Sequence, residues 1–343
     1  MATIAVIGAR RRRQGLGGFI AQRFAEAGGD VCAVVGTRSE TAEEARGSLR
    51  ERFSIDCRAY TRLEDALEKE RPDIVAICSP YELHAAHLEE VARFGAHCLA
   101  EKPLVWGPPG DLVGMASEIV DGFIRRARHL AVVTQWPFTL EDFYRLHPEE
   151  QGRPVESFEM RLFPLASGSR MVFDAAPHPL SLLHALLGPG TVEDPRARFG
   201  GGGAQRLSLE LTYRHGAGGV EARIHLEPSE EFPRPASYAI NGKLARRRVS
   251  LPGYETFFES GTGSSPRSVS VEDPLGRLVR AFLRDVETKA AFERSEILNG
   301  VRGLAALAAA ADEAEVSVGG WECEEKRSGR ISRPEGCRGV SHG

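Results

Sequence analysis

Residues Asp73 to Leu104, DIVAICSPYELHAAHLEEVARFGAHCLAEKPL, constrain the fold more than any other stretch of the 343-residue chain. Asp73–Cys78 is a short apolar run behind an acidic residue, the pattern of a strand buried in a parallel sheet. Residues 82–94 place Leu83, Ala86, Leu88, Val91, Ala92 and Phe94 mostly at helical spacings, and Gly95 closes that helix. His97–Ala100 reads as a second strand, with Glu101-Lys102-Pro103 directly at its carboxyl end. Ligands of open parallel sheets bind outside the carboxyl ends of the strands. Ser79-Pro80 and Glu101-Lys102-Pro103 therefore share the ligand-binding edge, and Lys102 is placed to act on a substrate.

The same alternation runs through the whole first part. Strands are expected at Thr3–Ile7, Val31–Val35, Asp56–Ala59 and Leu130–Thr134, with helices near Leu16–Ala27, Glu40–Arg52, from Thr61, and near Asp111–Arg126. Right-handed crossovers then give a doubly wound parallel sheet, a Rossmann-type domain over residues 1–134. Beyond it the period changes to two. Phe158, Met160 and Leu162 alternate with polar residues, as do Leu207 to Tyr213 and Val220 to Leu226, the last two runs joined by a hairpin at 214–218. Helices are expected at Leu180–Leu187, Leu275–Val286 and Glu296–Glu313, and flexible loops at Gly200–Gly203 and Ser260–Ser265. The fold class is thus α/β, an N-terminal Rossmann sheet followed over residues 135–321 by an α+β domain on a mainly antiparallel sheet. Residues 322–343 are charged and poor in large apolar side chains, so a disordered tail is expected.

Composition removes several function classes. A net charge of −4 gives no nucleic-acid signature, and no apolar run reaches membrane-spanning length. The six cysteines form no close pair, which argues against a zinc ribbon or a redox dithiol, and no metal site is expected. Arg10–Arg13 could pass for an export signal, but Gln22, Arg23 and Glu26 interrupt the apolar stretch that must follow. A cytoplasmic protein is expected.

Gly8 ends the first strand, and Gly15-Leu16-Gly17-Gly18 opens the first helix. Gly15 and Gly18 supply part of a dinucleotide fingerprint, with an insertion carrying Arg10 to Arg13 between them and Gly8. Arginines in a phosphate-binding loop can pair with phosphate oxygens, and Arg13 is assigned there together with Leu16. After the second strand, Thr37-Arg38-Ser39 lacks the acidic residue that would bond an NAD ribose. Arg38 and Ser39 suit a 2′-phosphate, so NADP is favoured over NAD.

With these residues the chain resembles the glucose–fructose oxidoreductase/inositol dehydrogenase (Gfo/Idh/MocA) family over most of residues 1–320. The marks are Ser79-Pro80, His84, the Glu101-Lys102-Pro103 turn and the element from Asp174 to His178. The resemblance implies NAD(P)-dependent oxidation or reduction of a sugar, polyol or related hydroxyl or carbonyl compound. It also implies that Lys102, Asp174 and His178 form the catalytic group, and it places Ser79, Pro80, His84 and Glu101 beside the cofactor. The chemistry suits these side chains. A histidine accepts the hydroxyl proton and a lysine stabilises charge on the substrate oxygen, or the two exchange these roles, and Asp174 could orient or tune His178.

The chain departs from the family at the substrate. Ser181 stands where an aspartate is common, Tyr81 follows Ser79-Pro80 in place of asparagine, and Trp136 lies at the start of the second domain. Serine bonds one hydroxyl but cannot ionise, and an aromatic face stacks on C–H surface. Trp136 and Ser181 are assigned to substrate. Two rival readings remain: a non-redox sugar or nucleotide sensor, and a lyase or glycosidase that oxidises and re-reduces its substrate within one cycle. The expected partners are a small-molecule substrate and further copies of the chain, as a homodimer or tetramer, with no nucleic acid or membrane.

Overall fold

The computed structural model describes residues 1–10, 15–200, 206–216, 218–251, 255–261 and 267–328, with side chains described as far as residue 317. The first half alternates β1 (Thr3–Ile7), α1 (Gly17–Glu26), β2 (Asp30–Val35), α2 (Ser39–Phe53), β3 (Arg58–Tyr60), α3 (Leu63–Glu70), β4 (Ile74–Ile77), α4 (His84–Phe94), β5 (His97–Glu101), α5 (Leu112–Arg125) and β6 (Leu130–Val133). The strands pair in parallel in the order β3-β2-β1-β4-β5-β6. The order reverses between β1 and β4, so the crevice for a dinucleotide opens above those two strands. Residues Ile74 to Ile77 are wholly buried, as a strand covered on both faces must be. The helices cover the sheet through one stripe each; α5 buries Leu112, Ala116, Ile119, Val120 and Phe123.

The second half runs α6 (Leu140–Leu146), β7 (Ser157–Leu162), α7 (Arg170–Ala175), α8 (Pro177–Leu187), β8 (Gly190–Gly200), β9 (Arg206–His215), β10 (Gly218–Leu226), β11 (Ala236–Ile240), β12 (Lys243–Ser250), β13 (Glu255–Glu259), β14 (Ser268–Val271), α9 (Pro274–Glu287) and α10 (Arg294–Ser328). Its eight strands lie in the order β14-β13-β12-β11-β7-β10-β9-β8. Every neighbour is antiparallel except β7 and β10, which run parallel because α7, α8 and two further strands separate them in the chain. Phe158, Met160, Leu209, Leu211, Ala222 and Ile224 are buried on the face beneath the helices. The other face is polar and carries ion pairs such as Arg206–Glu227 at 3.2 Å.

The chain's later helices tie the halves together. Leu275, Leu278, Val279 and Phe282 of α9 join the core under α1, where Phe282 meets Phe24 edge-on with ring centres 6.2 Å apart. Arg23 of α1 and Asp273, the N-cap of α9, form an ion pair at 2.5 Å. Five strands escaped the reading of the sequence: β8 and β11 to β14. β8 contains a bulge between Glu193 and Arg196 with Asp194 at φ 48°, which breaks its alternation. Of the tail expected at 322–343, residues 322–328 continue α10, and 329–343 lie outside the described residues. Positions 201–203 and 262–265 of the two expected loops also lie outside them.

Candidate active site

The crevice is shaped by two glycines. Gly8 has φ 80°, and a Cβ there would lie 2.4 Å from the Cys78 carbonyl oxygen at the end of β4. A Cβ on Gly17 would lie 2.6 Å from the Gly8 carbonyl oxygen. The loop after β1 is therefore pressed between the end of β4 and the first turn of α1, as a dinucleotide fold requires. Gly17 performs the close helix packing, whereas a Cβ on Gly18 would have ordinary room, 3.6 Å from the Ala9 carbonyl oxygen. Gly15 and Leu16 lead into the helix; Arg13 lies outside the described residues. Arg10 reaches across to α2 and pairs with Glu44 at 2.7 Å. Thr37, Arg38 and Ser39 are exposed at the carboxyl end of β2. Thr41 holds this turn, its hydroxyl accepting from the Arg38 amide at 3.1 Å and donating to the Arg38 carbonyl at 2.8 Å.

The Ser79-Pro80 and Glu101-Lys102-Pro103 turns are fastened to one another by His84. Its fully buried ring sets Nδ1 2.7 Å from the Pro103 carbonyl oxygen and Nε2 3.0 Å from that of Ser79. Burial pushes its pKa down, while the two carbonyls oppose that shift. His84 thus sits beneath the crevice as a tie between its walls. The Ser79 hydroxyl is 3.0 Å from His87 Nδ1, Pro80 is exposed, and burial raises the Glu101 carboxyl above its ordinary range.

Lys102 extends from this edge to the second domain. Its ammonium donates to the Asp174 carboxylate, Nζ to Oδ1 2.8 Å, and also to the Asp174 carbonyl oxygen. The other carboxylate oxygen accepts from the Leu165 amide at 3.0 Å. Burial opposes ionisation of Asp174, yet Lys102 outweighs it and holds the group at about 2. An ammonium has three protons, so two bonds to Asp174 leave one for another acceptor. His178 follows on the first turn of α8. Desolvation, and next the Lys102 charge, push its imidazole down to about 3. Its buried Nδ1 makes no hydrogen bond among the described residues. The Asp174 carboxylate is committed to Lys102 and Leu165 rather than to His178.

Trp136 is buried with its ring edge-on to His178, centres 6.5 Å apart. The Ser181 hydroxyl donates to the His178 carbonyl at 2.9 Å, and Ser181 lines a separate cavity of about 520 Å³ with Thr134, Pro137 and His184. Lys102, Asp174, His178 and Trp136 are thus together, and Ser181 is turned away from them. Of the other neighbours, Tyr81 was noted in the sequence, whereas Trp106, Phe173 and Arg247 were not. Tyr81, Trp106 and Phe173 form an aromatic row beside Asp174, with successive ring centres 4.6 and 4.5 Å apart. Arg247 lies over Trp136 at 5.6 Å. The alternation of Ala245, Arg247 and Val249 along β12 was the available signal for its inward direction.

Residues 2–133 match the model of the Gfo/Idh/MocA oxidoreductase family with an NAD-binding Rossmann fold. The match covers the first domain of the chain. That domain is of the kind found in NAD-binding oxidoreductases, and the crevice at Gly8 and Gly17 suits the dinucleotide. Similar solved structures extend the likeness of fold to the second domain. UDP-N-acetylglucosamine 3-dehydrogenase GnnA from Acidithiobacillus ferrooxidans aligns at TM-score 0.65 and 22% identity, over 92% of this chain and 97% of that one. KijD10, a 3-ketoreductase from Actinomadura kijaniata solved with NADP and TDP-benzene, aligns at TM-score 0.67 and 17% identity over 90% and 97%. A levoglucosan dehydrogenase in complex with NADH and levoglucosan aligns at TM-score 0.67 and 14% identity over 92% and 97%. A search of curated proteins finds no significant match. No helix among the described residues is long and apolar enough to cross a membrane, and no group of three potential metal ligands occurs among them.

Proposed function

We propose that the chain is an NADP-preferring oxidoreductase that interconverts a hydroxyl and a ketone on a sugar-like substrate. The observation that carries this reading is the convergence of Lys102 from one domain with Asp174 and His178 from the other at the carboxyl edge of the sheet. The bound nicotinamide supplies or accepts the hydride. His178, kept neutral by burial, takes the hydroxyl proton as the ketone forms and returns it in reduction. The third proton of Lys102 is left to bond the same oxygen and stabilise the negative charge that develops on it. Asp174 is a positioning residue: it fixes the ammonium with two acceptors and leaves one direction free.

The structural neighbours support the substrate class, since their names include a nucleotide-sugar dehydrogenase, a 3-ketoreductase and a levoglucosan dehydrogenase. KijD10 was solved with NADP and the levoglucosan dehydrogenase with NADH, so cofactor choice has to come from this chain's own residues. Arg38 and Ser39, exposed where a 2′-phosphate would lie, favour NADP, with Arg10 across the crevice. Trp136 offers an aromatic face to the sugar's C–H surface. The polar outer face of the second sheet suits a salt-sensitive homodimer or tetramer, and free cysteines at 32, 57, 78 and 98 suit the cytoplasm. Nicotinamide absorbance recorded over a panel of sugars, polyols and ketones tests the reading. Net turnover with one of them supports it, and a cofactor-saturated enzyme inert to the whole panel counts against it.

A further inference from the structure

Arg247 has no role in the proton and hydride steps, yet its setting is costly. Arg246, Arg247 and Arg248 are consecutive on β12, and the pleat sends the outer two to solvent while Arg247 shares the inner face with the buried Ala245. Arg248 has a counter-ion, Glu259 at 2.5 Å. Arg247 has none within ion-pair distance among the described residues. Its Nη2 donates to the Arg234 carbonyl at 2.6 Å, its guanidinium lies 5.6 Å from the Trp136 ring centre, and its Nε is buried without a hydrogen-bond partner. Asp273 borders the same small cavity, but its oxygens accept from Arg23 and from the amides of Leu275 and Gly276. A second arginine, Arg234, lies near enough to act on Arg247, His178 and Asp174.

A half-buried guanidinium with no carboxylate partner is unfavourable unless an anion completes it. The planar fork of arginine fits a carboxylate or phosphate through paired bonds. Resting on the oxidoreductase reading of the adjoining site, we propose that Arg247, with Arg234 beside it, binds an anionic group of the substrate, which makes the substrate class a sugar acid or sugar phosphate. The position of that group follows from Trp136, which touches both partners: Arg247 lies over its ring, and His178 meets the ring edge-on. Arg247 and His178 thus share one neighbour, which fits an anionic group carried on the reacting sugar itself.

The test is calorimetric titration of the NADP-saturated enzyme with hexuronates and hexose 6-phosphates, each beside its neutral hexose. At least one acid should bind about tenfold or more tighter than its neutral counterpart, as a charge-assisted pair implies. Strength among uronates against strength among phosphates identifies the anion. Arg247→Gln should remove the preference, and Arg247→Lys, which keeps charge but loses the fork, should retain part of it. Equal binding of acids and neutral hexoses by the wild type would overturn the proposal, whether or not the variants fold. So would a preference that survives Arg247→Gln. Nicotinamide absorbance read on the same mixtures separates the two readings. Acid-selective binding without turnover sinks the redox reaction alone, whereas turnover of neutral hexoses without acid preference sinks the anion site alone.

Discussion

Lys102 Nζ lies 2.8 Å from Asp174 Oδ1, an ion pair that joins the ligand edge of the Rossmann sheet to the second domain. It spans 72 residues of chain and closes the crevice from one side. One pair thereby links stability to the readiness of the site. The Asp174 carboxyl is held at about 2, because Lys102 and the Leu165 amide outweigh burial. A depressed carboxyl stabilises the fold above its ordinary value near 4, and this contribution is lost as pH falls through 2. Asp174→Asn should be less stable at pH 7 by about 2 kcal/mol and should lack that acid-limb loss. Denaturant melts of both proteins from pH 6 to 2.5 check this.

His178 has the opposite proton bookkeeping. With its folded value at about 3, the native state binds fewer protons than the unfolded chain between roughly pH 6.5 and 3. Stability from this residue is therefore fully present above pH 6.5 and declines as pH falls through that window. Replacement by Gln should flatten the decline by about 2 kcal/mol at pH 5. The difference between wild-type and variant melting curves at pH 7.5 and pH 5 reads it directly, since His84 and His97 contribute equally to both proteins.

His84 should matter to both fold and rate. Removing its ring with Ala opens a buried cavity between the Ser79 and Pro103 carbonyls and leaves one of them without its donor, at a cost of about 2–4 kcal/mol. The Lys102 turn then loosens, and kcat should fall by about tenfold or more at unchanged cofactor affinity. Chemical denaturation and steady-state kinetics on His84→Ala report the two effects separately.

Much of this was legible in the chain. Apolar strand runs at Ile4–Ile7 and Ile74–Ile77, separated by helices with clear stripes, leave a parallel sheet as the natural outcome. Lys102 could be placed on the correct edge because Pro103 and the preceding strand fix the turn. Less visible were features that depend on distant segments meeting. Gly17, not Gly18, makes the closest approach, because the insertion after Gly8 shifts where the helix begins. β12 escaped notice because arginines occupy three consecutive positions, so the inward turn of Arg247 emerges only when β11 and β13 flank it. Ser181, at a plausible spacing from His178, bonds back to its own helix.

Cofactor choice should respond to one side chain. Arg38 is exposed at the end of β2 with no ion pair among the described residues. Arg38→Ala should weaken NADPH by about tenfold while leaving NADH within about twofold. Fluorescence titration of both cofactors measures this, and equal losses for the two would remove Arg38 from the phosphate site.

Lys102 is the proposed donor to the reacting oxygen. Lys102→Met keeps the length of the side chain and removes the charge. With the substrate found by the absorbance panel, the measurement is nicotinamide turnover in this variant under saturating cofactor. The account predicts a fall in kcat of about a hundredfold or more with cofactor affinity retained. Turnover at the wild-type rate would contradict it.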